Sequence, residues 1–266
     1  MMLPPGTFLS SVAVVTGGGT GLGRAISMEL ARLGAKVAIT SRRLENLEPT
    51  RAEIEAAGGT AKAVTCDIRD PEQVKRMFEE VEADFGAQDL LVNCAAGNFL
   101  VEAEKLSVNG WRSVLGIVLD GTFYCTREAA KRMIPNRRGS ILNVIATYAW
   151  TGNPGTVHSA AAKAGVLAMT RTLAGEWAEY GVRVNAIAPG PADTQGASAQ
   201  LWAGEGGVDR VAKSVPAGRL ATGDEIADAS VYLLSDCAAY ITGECLTIDG
   251  GNWLGMAMFP SKQHPE

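Results

Sequence analysis

The feature that most constrains the fold lies near the start of the chain. Val12-Ala-Val-Val-Thr16 is a short apolar run ending in Gly17-Gly-Gly-Thr-Gly-Leu-Gly23, after which Ile26, Leu30 and Leu33 recur at helical spacing. Strand, glycine turn and helix, in that order, form the context of a dinucleotide fingerprint. Glycines let the backbone approach a pyrophosphate, and the helix start offers unpaired N–H groups and a positive dipole end. An ordinary tight turn would use the same glycines, but the flanking strand and helix favour the fingerprint.

Alternation continues along the chain. The run Lys36 to Thr40 reads as a strand, Leu47 to Ala57 as a helix, Ala61 to Thr65 as a strand and Pro71 to Phe85 as a helix. Strand Leu90 to Val92 precedes a long helix from Val108 to Met133. Strand Val182 to Ile187, a helix near Asp224 to Leu234 and a last strand near Leu246 to Ile248 complete the pattern. Such alternation predicts an α/β Rossmann-type, doubly wound parallel sheet. No repeat, charge block or linker divides the chain, so residues 1–266 are expected to form a single domain. Residues 191–221, looser in pattern and containing the Gly/Ala/Gln-rich run from Gly196 to Gly207, are expected to form a substrate-side lid.

Composition narrows the function. A formal net charge of −5 provides no basic surface for nucleic acid, and there is no apolar run long enough to span a membrane. The opening MMLPPGTF lacks the basic-then-apolar order of a secretory signal. Five scattered cysteines without a CxxC pair predict reduced thiols in a cytoplasmic protein, and with two histidines no metal site is expected.

Two further stretches carry chemistry. At the end of the second strand, Ser41-Arg42-Arg43 presents a hydroxyl and guanidiniums where an NAD site usually places a carboxylate. That fits a 2′-phosphate and predicts NADPH. The stretch Gly139 to Gly165 reads as a buried strand (Ile141 to Ile145), a loop broken by Gly152, Pro154 and Gly155, then a long helix. Ser159 and Lys163, four residues apart, share one helix face. Tyr148 follows the strand's C-terminal end, the edge at which open α/β sheets bind ligands. His158 reads as a loop residue rather than a base.

Thr16 to Gly23, Asp67, Asn93 to Gly97, Lys163 and Pro189-Gly190 with Thr194 together resemble the short-chain dehydrogenase/reductase family over nearly the whole chain. In that family a Tyr four residues before the Lys is the acid–base, helped by a Ser and an Asn, and the Lys holds the nicotinamide ribose. Here the Lys is kept, but those three positions hold Ser159, Ala146 and Val118. A serine hydroxyl is too weak an acid to replace a phenol, so ordinary ketone chemistry is not expected.

The 2,4-dienoyl-CoA reductase branch has this same pattern. The chain resembles it in Asn93-Cys-Ala-Ala-Gly-Asn98-Phe99, Ala146-Thr-Tyr148-Ala, Ser159-Ala-Ala-Ala-Lys163-Ala-Gly and Ala188-Pro-Gly-Pro191. The resemblance implies catalytic roles for Tyr148, Asn98, Lys163 and Ser159. It implies NADPH contacts from Gly17, Gly18, Gly19, Thr20, Gly21, Leu22, Arg42, Asp67, Lys163, Pro189, Gly190, Pro191 and Ala192. Arg69, Phe99, Ser107 and Gln200 would touch an acyl-CoA thioester, although Gln200 stands where an Arg is expected. The implied protein is a homotetramer that reduces 2,4-dienoyl-CoA to 3-enoyl-CoA in unsaturated fatty-acid β-oxidation. A reductase of another conjugated carbonyl (an enone or quinone) and a non-catalytic dinucleotide-binding protein are the alternatives. Blander roles also stand open: a solvated Tyr148, a turn-forming Asn98, a backbone-bonded Ser159 and a surface ion pair at Arg69.

Overall fold

The computed structural model describes residues 3–193 and 207–254. Seven parallel strands form one sheet: β1 (Val12–Thr16), β2 (Lys36–Ser41), β3 (Thr60–Thr65), β4 (Leu90–Asn93), β5 (Gly139–Val144), β6 (Val182–Pro189) and β7 (Cys245–Ile248). Their order across the sheet is β3-β2-β1-β4-β5-β6-β7. The order reverses between β1 and β4, which opens a crevice beyond the strands' carboxyl ends. The central strands β1 and β4 are buried throughout because helices cover both faces of the sheet. On one face lie α1 (Gly21–Arg32), α2 (Glu48–Ala56) and α9 (Gly223–Leu234), packed on strand residues such as Ala13, Val15, Val37 and Leu142.

The other face carries α3 (Pro71–Phe85), α4 (Val108–Leu115), α5 (Gly121–Met133) and α7 (Val157–Trp177). Between α4 and α5 the expected single long helix passes through a π-helical turn at Gly116–Asp120. Val118, at the position of the missing Asn, is buried in that turn against an apolar cluster that includes Ile145, Ala162 and Val166. Val166 and Leu173 of α7 therefore pack within their own subunit. Two elements depart from the sequence reading. Tyr148–Thr151 form a short helix, α6, where a loop was expected, and His158 is a fully buried helical residue rather than a loop residue. Asp120 is exposed.

Of the expected lid, residues 194–206 lie outside the described residues, and with them Thr194 and Gln200. Beyond them, α8 (Gly207–Ser214) follows, and Ala192 bridges to Ala221 at the segment's base.

A buried polar chain crosses the sheet. Asn93 Nδ2 donates to Thr126 Oγ1 (3.0 Å) and to Asn143 Oδ1 (2.9 Å), while Asn143 Nδ2 donates to Thr170 Oγ1 (2.9 Å). It fixes β4 and β5 to each other and to α5 and α7, the elements from which the site projects. Replacing Asn143 with Leu should destabilise the protein by roughly 2–4 kcal/mol, because the Asn93 amide and the Thr170 hydroxyl would both lose a buried partner. Urea unfolding measures this; a loss below about 0.5 kcal/mol would show that the chain contributes little.

Candidate active site

The glycine turn is held close against β4. Gly17 adopts φ +68°, and a Cβ there would come 3.0 Å from Ala95 Cα; one on Gly23 would come 2.2 Å from the Gly17 oxygen. Only glycine fits both places. Thr16 clasps the two strand ends from the side, its hydroxyl accepting from the N–H groups of Cys94 and Ala95, each at 3.1 Å. Helix α1 then starts with Thr20 as an N-cap that makes no side-chain bond, and no acidic residue stands in its first turn. Its N–H groups and dipole are thus left for an external anion.

At the end of β2, Arg42 and Arg43 are exposed. Arg43 is turned toward Glu45, 3.9 Å away, while the charge of Arg42 bears on Asp67 at the end of β3. Asp67 is engaged by Arg69, whose Nε lies 2.9 and 3.1 Å from the two carboxylate oxygens. This bond, above all, holds the Asp67 carboxyl below its ordinary range. Arg69 is therefore in an ion pair, and the side chain also lies along Gly116 of the π turn.

The reactive cluster sits beyond β5. Lys163, buried on α7, donates from Nζ to the Val144 carbonyl at that strand's end. Burial lowers its pKa to about 8. One turn earlier on the same helix, Ser159 is buried, and its hydroxyl meets the Tyr148 phenol at 3.1 Å. Ser159 thus bonds to a side chain of α6, not to backbone. Burial raises the Tyr148 pKa, against a smaller opposing effect of Ser159, so the phenol remains protonated at neutral pH. The arrangement suits a hydrogen-bond donor held in one orientation.

Asn98 reaches the same sheet edge from β4, the neighbour of β5. Its Oδ1 accepts from the Phe99 N–H at 2.9 Å, and no hydrogen bond joins it to Tyr148 among the described residues. The two loops are nevertheless tied together: Val101 N–H donates to the Gly155 oxygen (3.0 Å), and the Phe99 ring lies 4.5 Å from that of His158. Both His158 nitrogens are buried without a hydrogen-bond partner among the described residues, and burial lowers its pKa. Ser107 caps α4, its hydroxyl accepting from Gly110 N–H at 3.0 Å. It lines a groove of about 390 Å³ with Leu106, Val108, Trp111 and Val157. Pro189 closes β6, Gly190 packs on Asp249, and Pro191 and Ala192 pair with Ala221.

The buried polar chain escaped the sequence reading. Its signal was an Asn inside each of two otherwise apolar strands, LLVN and ILNV.

An uncapped helix start beside a buried lysine and a tethered phenol, all at one end of a parallel sheet, is the working edge of a dinucleotide-dependent oxidoreductase. Residues 17–252 match a family model described as enoyl-(acyl carrier protein) reductase, and the chain belongs to the short-chain dehydrogenase/reductase family. A Bacillus subtilis (strain 168) relative named probable 2,4-dienoyl-CoA reductase [(2E)-enoyl-CoA-producing] is 49% identical, covering 91% of this chain and 96% of its own. A Caenorhabditis elegans relative named probable 2,4-dienoyl-CoA reductase 3 [(3E)-enoyl-CoA-producing] is 43% identical over 94% of this chain and 82% of its own. A solved Beutenbergia cavernae structure with bound NADP at low occupancy superposes with a TM-score of 0.88 at 36% identity, covering 94% of this chain and 100% of that one. No helix among the described residues is long and apolar enough to cross a membrane.

Lys163 makes stability depend on pH. Its folded pKa, about 8, lies below its ordinary 10.5, so the folded state bears the full cost of burying the cation below pH 8. That cost fades as pH rises from about 8 to 10.5 and is absent above it. Lys163→Met should therefore gain more stability at pH 7 than at pH 10.5 in the free protein. Equal changes at the two pH values in urea unfolding would contradict the buried ammonium.

Proposed function

We propose that this protein reduces 2,4-dienoyl-CoA thioesters to 3-enoyl-CoA with NADPH, in the β-oxidation of unsaturated fatty acids. The observation that carries this reading is the Tyr148–Ser159 hydrogen bond at 3.1 Å. It brings a phenol to the Lys163 helix from α6, while the position four residues before Lys163 holds only a hydroxymethyl group.

The chemistry explains the displacement. A ketone reductase needs its acid beside the carbon that receives hydride. In a 2,4-dienoyl thioester the hydride goes to C5, while negative charge gathers on the thioester oxygen. Four conjugated bonds of roughly 1.4 Å separate C5 from the thioester carbon by about 5 Å. The stabilising donors must therefore stand away from the hydride-accepting carbon, as an oxyanion hole. Tyr148, kept protonated by burial, gives one hydrogen bond to the oxygen, and the Asn98 amide gives the second. Ser159 holds the phenol in place. Protonation at C2 then leaves the 3-ene; protonation at C4 would leave the 2-ene. The two relatives' names differ on this point.

Bound NADPH supplies the hydride. The uncapped start of α1 would take its pyrophosphate, Arg42 its 2′-phosphate and Lys163 its ribose, with the Pro189–Ala192 segment beside the nicotinamide. Phe99, 39% exposed over Leu106 and Gly110, and the groove at Ser107 would receive the acyl thioester. The homotetramer would form through the α4–α5 and α7 faces.

Following NADPH absorbance across dienoyl-CoA, enoyl-CoA, ketone and quinone substrates tests the reading. Turnover should be confined to dienoyl-CoA, and preference for a ketone or a CoA-free enone would overturn it. Tyr148→Phe should lower kcat by about 10²–10³ with little change in NADPH affinity. Unchanged kcat, with chemistry rate-limiting, would remove the phenol from the mechanism. Arg42→Ala should weaken NADPH by roughly 1.5–3 kcal/mol and NADH much less, as loss of a charged hydrogen bond requires. Titrations in which NADH binds more tightly than NADPH to the unaltered protein would refute the assignment.

A further inference from the structure

The element that carries Tyr148 cannot hold itself in place. Helix α6 is a single turn, Tyr148–Thr151, without a side-chain N-cap, and it is ended by Gly152 at φ +70°. An isolated helix of that length is unstable in water, so its position must come from tertiary contacts. Tyr148 faces α7 through Ser159, and Ala149 packs on the apolar cluster around Ile145 and Ala162. Two residues after Tyr148, and so about 200° around the helix, Trp150 points to the opposite side. There it meets Trp253, ring centroids 5.7 Å apart and interplanar angle 87°, an edge-to-face pair.

Trp253 is itself anchored. The loop after β7 is folded around the buried carboxylate of Asp249, which accepts from Gly251 N–H (2.9 Å) and Trp253 N–H (2.7 Å). Ala217 N–H donates to the Gly250 oxygen at 3.1 Å, and Asp249 is packed so closely on Gly190 that a Cβ there would come within 2.5 Å of its own. The loop therefore rests on the end of β6 and meets α6 at the edge-to-face Trp150–Trp253 pair.

We infer that Trp253 is a positioning residue, bracing α6 from behind so that the Tyr148 phenol stays directed at Ser159 and the substrate oxygen. Its role in turnover rests on the dienoyl-CoA reading; its role in holding the phenol does not.

The test is a double-mutant cycle on the full-length protein, with Trp253→Ala and Tyr148→Phe made singly and together. Trp253→Ala should lower kcat on a dienoyl-CoA roughly tenfold, leave NADPH affinity unchanged, and cost almost nothing further in the Tyr148→Phe background. Trp253→Phe, which keeps an aromatic edge, should restore most of the rate. An independent readout is the ultraviolet titration of the Tyr148 phenol, taken as the difference from Tyr148→Phe. Burial raises that pKa above 10 in the native chain, and Trp253→Ala should bring it back toward 10 as α6 loosens. If Trp253→Ala fails to fold, Trp253→Leu, which keeps bulk without the aromatic edge, enters the same cycle. An unchanged phenol titration, or an equal rate loss with and without the phenol, overturns the inference. A shifted titration in a protein inactive on dienoyl-CoA upholds the brace and rejects the proposed substrate instead.

Discussion

The Thr126–Asn93–Asn143–Thr170 chain sets the geometry on which the site depends. A fully apolar junction of β4 and β5 would allow each strand to slide against its covering helix at little cost, because dispersion has no direction. Hydrogen bonds donated by the two Asn amides at 2.9–3.0 Å do have one. They bind α5 and α7 to the strands from whose ends Asn98 and Tyr148 emerge. Thr16 extends the same control to the glycine turn. Cofactor cradle, lysine helix and phenol are thereby referred to one rigid sheet edge, the condition for placing donors to a fraction of an ångström.

On that frame the cluster makes sense as a family geometry with its donor moved. Lys163 remains in place, buried, with a lowered pKa. Ser159 stands where the family has a tyrosine, and the Tyr148 hydroxyl comes in from α6 to meet it. Ala146 and Val118 are apolar at the two helper positions, and Val118 is absorbed into the core through the π turn. On the proposed reading the donor lost at position 159 is supplied by Tyr148, a compensation that decay alone would not produce.

The parallel sheet and the glycine turn were legible because each rests on local signals: apolar runs of strand length, helical spacing and glycines at a strand end. Ser159 and Lys163 were legible as a pair because their spacing fixes a shared helix face. Other features depend on contacts distant in sequence. Little in the local sequence makes Tyr148–Thr151 helical; Gly152 and Pro154 signal a loop, whereas in the structure Tyr148 bonds to Ser159 of α7 and Ala149 packs with Ile145 and Ala162. His158, read as a loop residue, is instead buried in the first turn of α7 with its ring 4.5 Å from that of Phe99, a residue distant in sequence. Arg69, for which the resemblance implied a thioester contact and an ion pair stood as the alternative, is turned by a local contact onto Asp67, two residues away. Gln200 and Thr194 lie outside the described residues, so the substrate side of the lid rests on the sequence reading.

The central claim is that hydride is delivered to a conjugated carbon distant from the oxygen that Tyr148 serves. The most direct measurement uses NADPH deuterated at the transferred position, with a 2,4-dienoyl-CoA as substrate and product analysis by NMR. The account predicts deuterium at C5 and a solvent-derived hydrogen at C2 of a 3-enoyl product. Deuterium on a carbinol carbon, or at C3 of a saturated acyl chain, would contradict it.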